Sequence, residues 1–137
     1  MKKSLLLIIL FGIFTSMKFS NERQDFGSSY IALSVNDINE SFKFYSSLGF
    51  NAKPNGGSLD QKWIIMTDGN TKIGLFQGMF PKNTIAFNPT DARSIYRHIS
   101  DEGIEIGFQA NVDKKDGPCS FMIQDPDGNP ILIDQLQ

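Results

Sequence analysis

The sequence predicts an α+β domain built from two tandem β-α-β-β-β units, and three observations carry that reading. Ile31-Ala32-Leu33 returns as Ile85-Ala86-Phe87, Asp37 as Asp91 and Gly49 as Gly103, each 54 positions on. A strand, a helix cap and a helix stop that recur in one register mark a duplicated unit, a stronger constraint than any single segment. In each half the apolar pattern alternates, changes to helical spacing, and alternates again. Finally, 137 residues, 40% apolar and 20% charged, suit one domain at about 100–200 residues each and are too apolar for wholesale disorder. The domain is placed at 28–136, with half-repeats 28–80 and 82–136.

Residues 29–35 (S-Y-I-A-L-S-V) are β-rich with alternating character, the pattern of a first strand. Asn36-Asp37 offers an N-cap, and 38–48 carries apolar residues at Ile38, Phe42, Phe44, Tyr45 and Leu48, the spacing of a helix with one buried face. Gly49 suits the left-handed residue that ends such a helix. A strand starts at 50–53, and Pro54-Asn55-Gly56-Gly57 reads as a loop. Strands at 62–67 and 71–77 flank Asp68-Gly69-Asn70, a strong hairpin signal. The second half repeats the order: a strand at 83–88, a helix capped by Thr90-Asp91 and running to about Glu102, and a strand at 104–110. A loop at 111–117 follows, then strands at 118–124 and 130–135 joined by Asp125-Pro126-Asp127-Gly128-Asn129.

Ahead of the repeat, Lys2 and Lys3 precede ten residues, 5–14, that are apolar apart from one Gly. A basic n-region and a short apolar h-region describe a secretory signal peptide, and ten residues at 1.5 Å rise reach roughly 15 Å, about half of a bilayer core. Residues 1–20 are therefore expected to be a signal peptide or N-terminal anchor. The protein is then periplasmic, extracellular or membrane-anchored; a cytoplasmic chain starting at Met17 is the alternative. Without 1–20, 10 basic residues face 15 acidic ones, and the formal charge moves from −2 to −5. The remaining Lys and Arg are scattered, with Lys114-Lys115 the only adjacent pair, so no basic stripe is available for a phosphate backbone and nucleic acid is excluded as a partner.

One Cys excludes an intramolecular disulfide framework and a Cys-rich zinc module, and one His excludes a His-rich metal centre. His98, inside the second helix, reads as a helix surface or interface residue rather than a general base. Cys119 precedes an apolar strand and reads as a structural thiol, with no local base to activate it. The 125–129 segment begins like a calcium loop, but the sixth place is Pro130 rather than Gly and the twelfth is Leu136 rather than Glu. It reads as a turn held by Asx bonds.

Placed on this duplicated unit, L-S-V-N-D-I (33–38), F-Y-S-S-L-G-F (44–50) and D-P-D-G-N (125–129) resemble the vicinal oxygen chelate superfamily, which groups glyoxalase I, extradiol dioxygenases, fosfomycin-resistance enzymes and bleomycin-binding proteins. The resemblance covers 28–136. It implies an open, curled mixed sheet, the glyoxalase-like fold, whose halves form one concave pocket, and a homodimer. It also implies a divalent metal held from the first and last strand of each half. Carried over one by one, those positions fall on Tyr30, Gln77, Thr84 and Leu132, which offer no imidazole and no carboxylate. Open metal sites want three or more such ligands, so neither a metal nor another cofactor is expected.

What remains is a pocket of aromatic and amide character. Strand alternation puts Tyr30, Ala32 and Ser34 on one face, and Thr84, Ala86 and Asn88 likewise, together with Leu75 and Gln77. With the implied curl, Tyr30, Ser34, Gln77, Thr84, Asn88 and Leu132 line the cavity; Trp63 joins them or packs under the helix. The expected function is binding of a small organic molecule in a metal-free pocket, with no catalytic residue assigned. The alternative is a lyase, isomerase or dioxygenase of the same superfamily with a displaced site using Tyr30, Gln77 or Asp134.

Overall fold

The computed structural model describes residues 23–137; the segment expected to direct export, 1–20, lies outside them. Strand β1 (Ser28–Val35) leads into helix α1 (Ile38–Ser47), then β2 (Asn51–Ser58), β3 (Trp63–Thr67) and β4 (Lys72–Gln77). The order repeats as β5 (Thr84–Asn88), α2 (Ala92–Asp101), β6 (Gln109–Ala110), β7 (Cys119–Gln124) and β8 (Pro130–Gln135). The strands form one mixed sheet in the order β2-β3-β4-β1-β5-β8-β7-β6. Each half closes its own parallel pair, β1 on β4 and β5 on β8, and the halves meet where β1 runs antiparallel to β5.

Both helices start on an aspartate. The Asp37 carboxylate accepts from the N–H groups of Asn39 and Glu40, and that of Asp91 from Ser94, satisfying donors that a first helical turn leaves open, at about 1 kcal/mol per cap. A second acceptor arrives from far along the chain. Gln77 Oε1, at the end of β4, accepts from the Ile38 N–H at 3.0 Å, and Gln135 Oε1, at the end of β8, accepts from the Ala92 N–H at 2.9 Å. The last strand of each half thereby caps the helix of that half. Gly49 (φ 98°) and Gly103 (φ 72°) follow the two helices in the left-handed region, as helix stops require.

The helices cover one face of the sheet. Ile38 of α1 packs with Ile64, Met66, Ile73 and Leu75, while Ala92, Ile95 and Ile99 of α2 pack with Cys119, Phe121 and Ile133. A smaller group on the opposite face joins Ala32, Ile65 and Phe76 with Tyr30, Trp63 and Phe80.

Three expectations change. Phe44 of α1 and Leu48 just after it are 58% and 59% exposed, because the helix meets the sheet through Ile38, Phe42 and Tyr45 and those two side chains lie off that stripe. The 54–57 stretch is not a loop: β2 runs through it, with its register against β3 shifting between Ala52 and Gly57. Because β2 is an edge strand, Pro54 removes no ladder bond there and a bulge is tolerated. The strand expected at 104–110 shrinks to Gln109–Ala110, although the Gly107 N–H still donates to the Met122 carbonyl and the Met122 N–H to the Phe108 carbonyl.

Arg93 of α2 is 8% exposed, and its Nη atoms donate to the carbonyls of Asn111, Asp116, Gly117 and Pro118. One guanidinium thus gathers four carbonyls of the β6–β7 connection against the helix. Arg93→Met keeps the apolar stem and removes every donor. It is expected to lower the unfolding free energy by about 2–4 kcal/mol in urea titrations and to speed amide exchange across 111–118; an unchanged midpoint would show that water replaces the guanidinium.

Candidate functional site

Residues directly paired across strands point to the same side of a sheet. The pairs Ala32↔Gly74, Tyr30↔Ala86 and Ala86↔Leu132 therefore carry one face across both halves. That helix-free face surrounds a cavity of about 380 Å³, within the roughly 300–1,000 Å³ of small-molecule sites. Tyr30 stands at the joint. Lys53, Asn55, Trp63, Ile65, Lys72 and Phe76 enter from the first half, and Asn88, Ser120, Met122, Leu132 and Asp134 from the second.

The floor is aromatic. The Phe76 ring stacks with Tyr30 (centroids 6.5 Å apart, 13° between planes) and with Trp63 (6.1 Å, 10°), and Phe80 meets it edge-on at 5.1 Å. These separations and angles are those aromatic pairs favour. Gly74 makes the row possible, because a Cβ there would collide with the rings of Phe76 and Tyr30. Gly57 (φ 85°) does the same beside the Trp63 indole.

Polar groups gather towards the second half. Asp134 on β8 pairs with Ser120 on β7, and Asn88 Nδ2 donates to the Asp134 carbonyl at 3.0 Å. Burial, followed by the Asp134 carboxylate, pushes the Tyr30 phenol up to about 12, so it remains a neutral hydrogen-bond donor at physiological pH. Burial likewise raises the Asp134 carboxyl above the ordinary aspartate range. Among the described residues, no hydrogen bond or ion pair reaches that carboxylate.

Of the seven residues expected in the pocket, Tyr30, Trp63, Asn88 and Leu132 line the cavity, and Ser34, Gln77 and Thr84 do not. Ser34 and Thr84 share the cavity face by register, but the β4–β5 connection crosses that end of the sheet. The Ser34 hydroxyl donates to the Phe80 carbonyl, the Ser34 N–H to Asn83 Oδ1, and the Thr84 hydroxyl to the Lys82 carbonyl. Gln77 and Leu75 lie on the other face by parity: Leu75 packs under α1, and Gln77 is committed to the Ile38 N–H.

The four positions that the resemblance implies for a metal do not converge. Of the four, Tyr30 and Leu132 alone line the cavity, and Leu132 has no donor atom. No group of three or more His, Cys, Asp or Glu side chains able to hold a metal occurs among the described residues. The donor set does not fit a divalent metal.

Several lining residues were not foreseen. Lys53 and Asn55 belong to the bulged stretch that reads as strand end and loop. Lys72 and Ser120 share the faces of Gly74 and Met122 two residues away, but the parity expected for β4, with Leu75 and Gln77 inwards, turns Lys72 the other way. The remaining candidates are structural. Cys119 is buried under α2, and burial pushes its thiol up. Asp125 accepts from the Asn129 side chain and from the N–H groups of Asn129 and Asp127, which holds its carboxyl low.

The family model described as Glyoxalase/Bleomycin resistance protein/Dioxygenase superfamily matches residues 27–133. A superfamily member from Vibrio splendidus 12B01 superposes with a TM-score of 0.58 at 20% identity, covering 79% of this chain and 97% of the other. A Legionella pneumophila chain described as NAD-dependent benzaldehyde dehydrogenase gives 0.59 at 19% identity, with 80% and 100% covered. Methylmalonyl-CoA epimerase from Mycobacterium tuberculosis gives 0.58 at 13% identity, with 81% and 87% covered. At these identities the likeness shows the fold. No curated protein matches the chain.

Asp134 allows a test by linkage. Its carboxyl is raised by folding, so the folded state holds the proton more tightly than the unfolded one. The ionised group therefore destabilises the fold at pH above its folded pKa; the penalty fades as pH falls from there towards the unfolded value of about 3.9 and is absent below it. Asp134→Asn is expected to melt at a higher temperature than the parent near neutral pH, with the gap closing as pH falls to about 4. A gap that is constant over a pH series of thermal melts would rule this assignment out.

Proposed function

The chain belongs to the Glyoxalase/Bleomycin resistance protein/Dioxygenase superfamily, and from that premise we propose that it binds a small organic molecule, without a metal, in the cavity between its half-repeats. The observation that supports this is a formed concavity of about 380 Å³, floored by stacked rings, at the place where the metal donors are missing. A largely apolar hollow with a few converging polar groups is the usual form of a small-molecule site. A second copy of this chain is its proposed partner: Ile31 and Ile85, paired on the helix-bearing face, are 51% and 44% exposed and would be covered by such contact. A second reading, catalysis from a displaced site, has the Asp134 carboxylate beside the Tyr30 phenol in its favour.

Trp63 is the chain's only tryptophan and lines the cavity, so its signals report occupancy directly. In a thermal-shift screen, a ligand at 100 times its Kd stabilises by about 2.7 kcal/mol, and the same compound is expected to perturb Trp63. Gly74→Ala, which forces Phe76 into the cavity, is expected to weaken binding about tenfold, or about 1.4 kcal/mol, with circular dichroism confirming the fold. Elemental analysis is expected to find no stoichiometric zinc, nickel, iron or manganese. One equivalent of tightly held transition metal at the cavity would move the reading to the enzyme.

Export is proposed on the basic and apolar pattern of 1–20. Among the described residues, no helix is long and apolar enough to cross a membrane. N-terminal sequencing of protein released by cells expressing the full chain is expected to start within 17–25, or the full form to stay at the membrane. Soluble cytoplasmic protein retaining Met1 would reverse it.

A further inference from the structure

From the arrangement of charges around the aromatic row, we infer that the cavity selects a flat aromatic ligand carrying a positive charge, with the Asp134 carboxylate as its counter-ion. The inference rests on the small-molecule reading above and adds the class of ligand.

The flat part follows from the floor. Trp63, Phe76 and Tyr30 lie within 13° of parallel in successive pairs, an alignment that a planar ring system can continue and a branched aliphatic one cannot. Met122 and Leu132 supply apolar walls from the second half. Aromatic faces also attract cations through their ring quadrupoles.

The charge follows from Asp134. Its carboxylate lines the cavity, is partly withdrawn from water, and receives no hydrogen bond or cationic side chain from the described residues. A desolvated carboxylate without a counter-ion favours whatever cation enters beside it. Tyr30 and Ser120 can donate to the same region, and Asn88 already braces the Asp134 backbone.

Two lysines argue for the opposite sign and must be weighed. Lys53 and Lys72 also line the cavity, but they enter from the first half, across the joint from Asp134. Lys53 is exposed and Lys72 half-buried; a hydrated ammonium gains little from pairing with an anion that must itself give up water. The surrounding field favours a cation too, since the chain beyond residue 20 carries 10 basic against 15 acidic residues.

The test uses three probes on one skeleton: 2-naphthylmethylammonium, 2-naphthylmethanol and 2-naphthoate. Affinities come from calorimetry on the purified full chain, and the indole N–H resonance of Trp63 marks the site. The ammonium is expected to bind at least tenfold more tightly than the alcohol, and the naphthoate more weakly than either. In Asp134→Asn, whose folding is checked by its melt, the ammonium and alcohol are expected to fall within about twofold of each other. Equal affinities for ammonium and alcohol in the parent protein overturn the counter-ion role and leave the small-molecule reading standing. Tightest binding of the naphthoate, lost in Lys72→Gln, reverses the sign of the selected charge. Failure of all three probes to move the Trp63 resonance overturns the aromatic-cation selection and leaves the small-molecule reading to the thermal-shift screen.

Discussion

The antiparallel pairing of β1 with β5 is the constraint on which the rest of the structure depends. Each half could build its own four strands, but each would leave a long edge with unpaired backbone groups. Pairing the two first strands removes both edges at once and makes a single sheet with the cavity at its centre. It also sets the register of every lining residue. Ala32 and Ala86, both fully buried at the joint, keep the middle of the face low enough for a hollow, while Tyr30 rises beside them. A slip of one residue would turn Ile31 and Ile85 inwards and Tyr30 outwards.

The same economy of means appears at the helices. A glutamine at the end of each half's last strand accepts the first N–H of that half's helix, so strand and helix are locked by an interaction between residues about 40 positions apart. In the second half this glutamine is buried, and its amide also donates to the carbonyls of Gly117 and Gln137. Buried amides held at both ends specify one arrangement more sharply than apolar contact does. The second half adds Arg93, which ties a connection with no regular structure to α2. The half-repeat with the shortest edge strand is thus the one with the most polar fastening.

The cavity combines two features that cost stability. Glycines at 57 and 74 leave two strands without a side chain where a Cβ would strike the Trp63, Phe76 and Tyr30 side chains, and Asp134 keeps a carboxylate in a place where burial disfavours its charge. Neither helps folding, and both make sense if a molecule occupies the hollow: the glycines make room for three near-parallel rings, and the carboxylate has something to pair with. Tight glycines and a partly desolvated carboxylate around one concavity support the proposed binding role.

The amino-acid order by itself determined the duplicated unit, both helix caps at Asp37 and Asp91, both helix stops at Gly49 and Gly103, the alternation of β1 and β5, and the lack of imidazole and carboxylate at the metal positions. All of these rest on local periodicity, backbone preference or side-chain chemistry, which a short window of sequence contains. Only the tertiary structure decided which residues on the chosen face reach the cavity. It hid Ser34 and Thr84 beneath the β4–β5 connection, turned Gln77 to the helix, set Trp63 against Phe76, and brought Lys53 and Asn55 in on a bulge. The 54-residue register could not show the glutamine lock either, since Gln77 and Gln135 stand 58 apart. Each of these outcomes depends on which distant segments touch, and on the lengths of the connections that let them. That information is shared across the whole chain, so it becomes visible only when β1 and β5 have met.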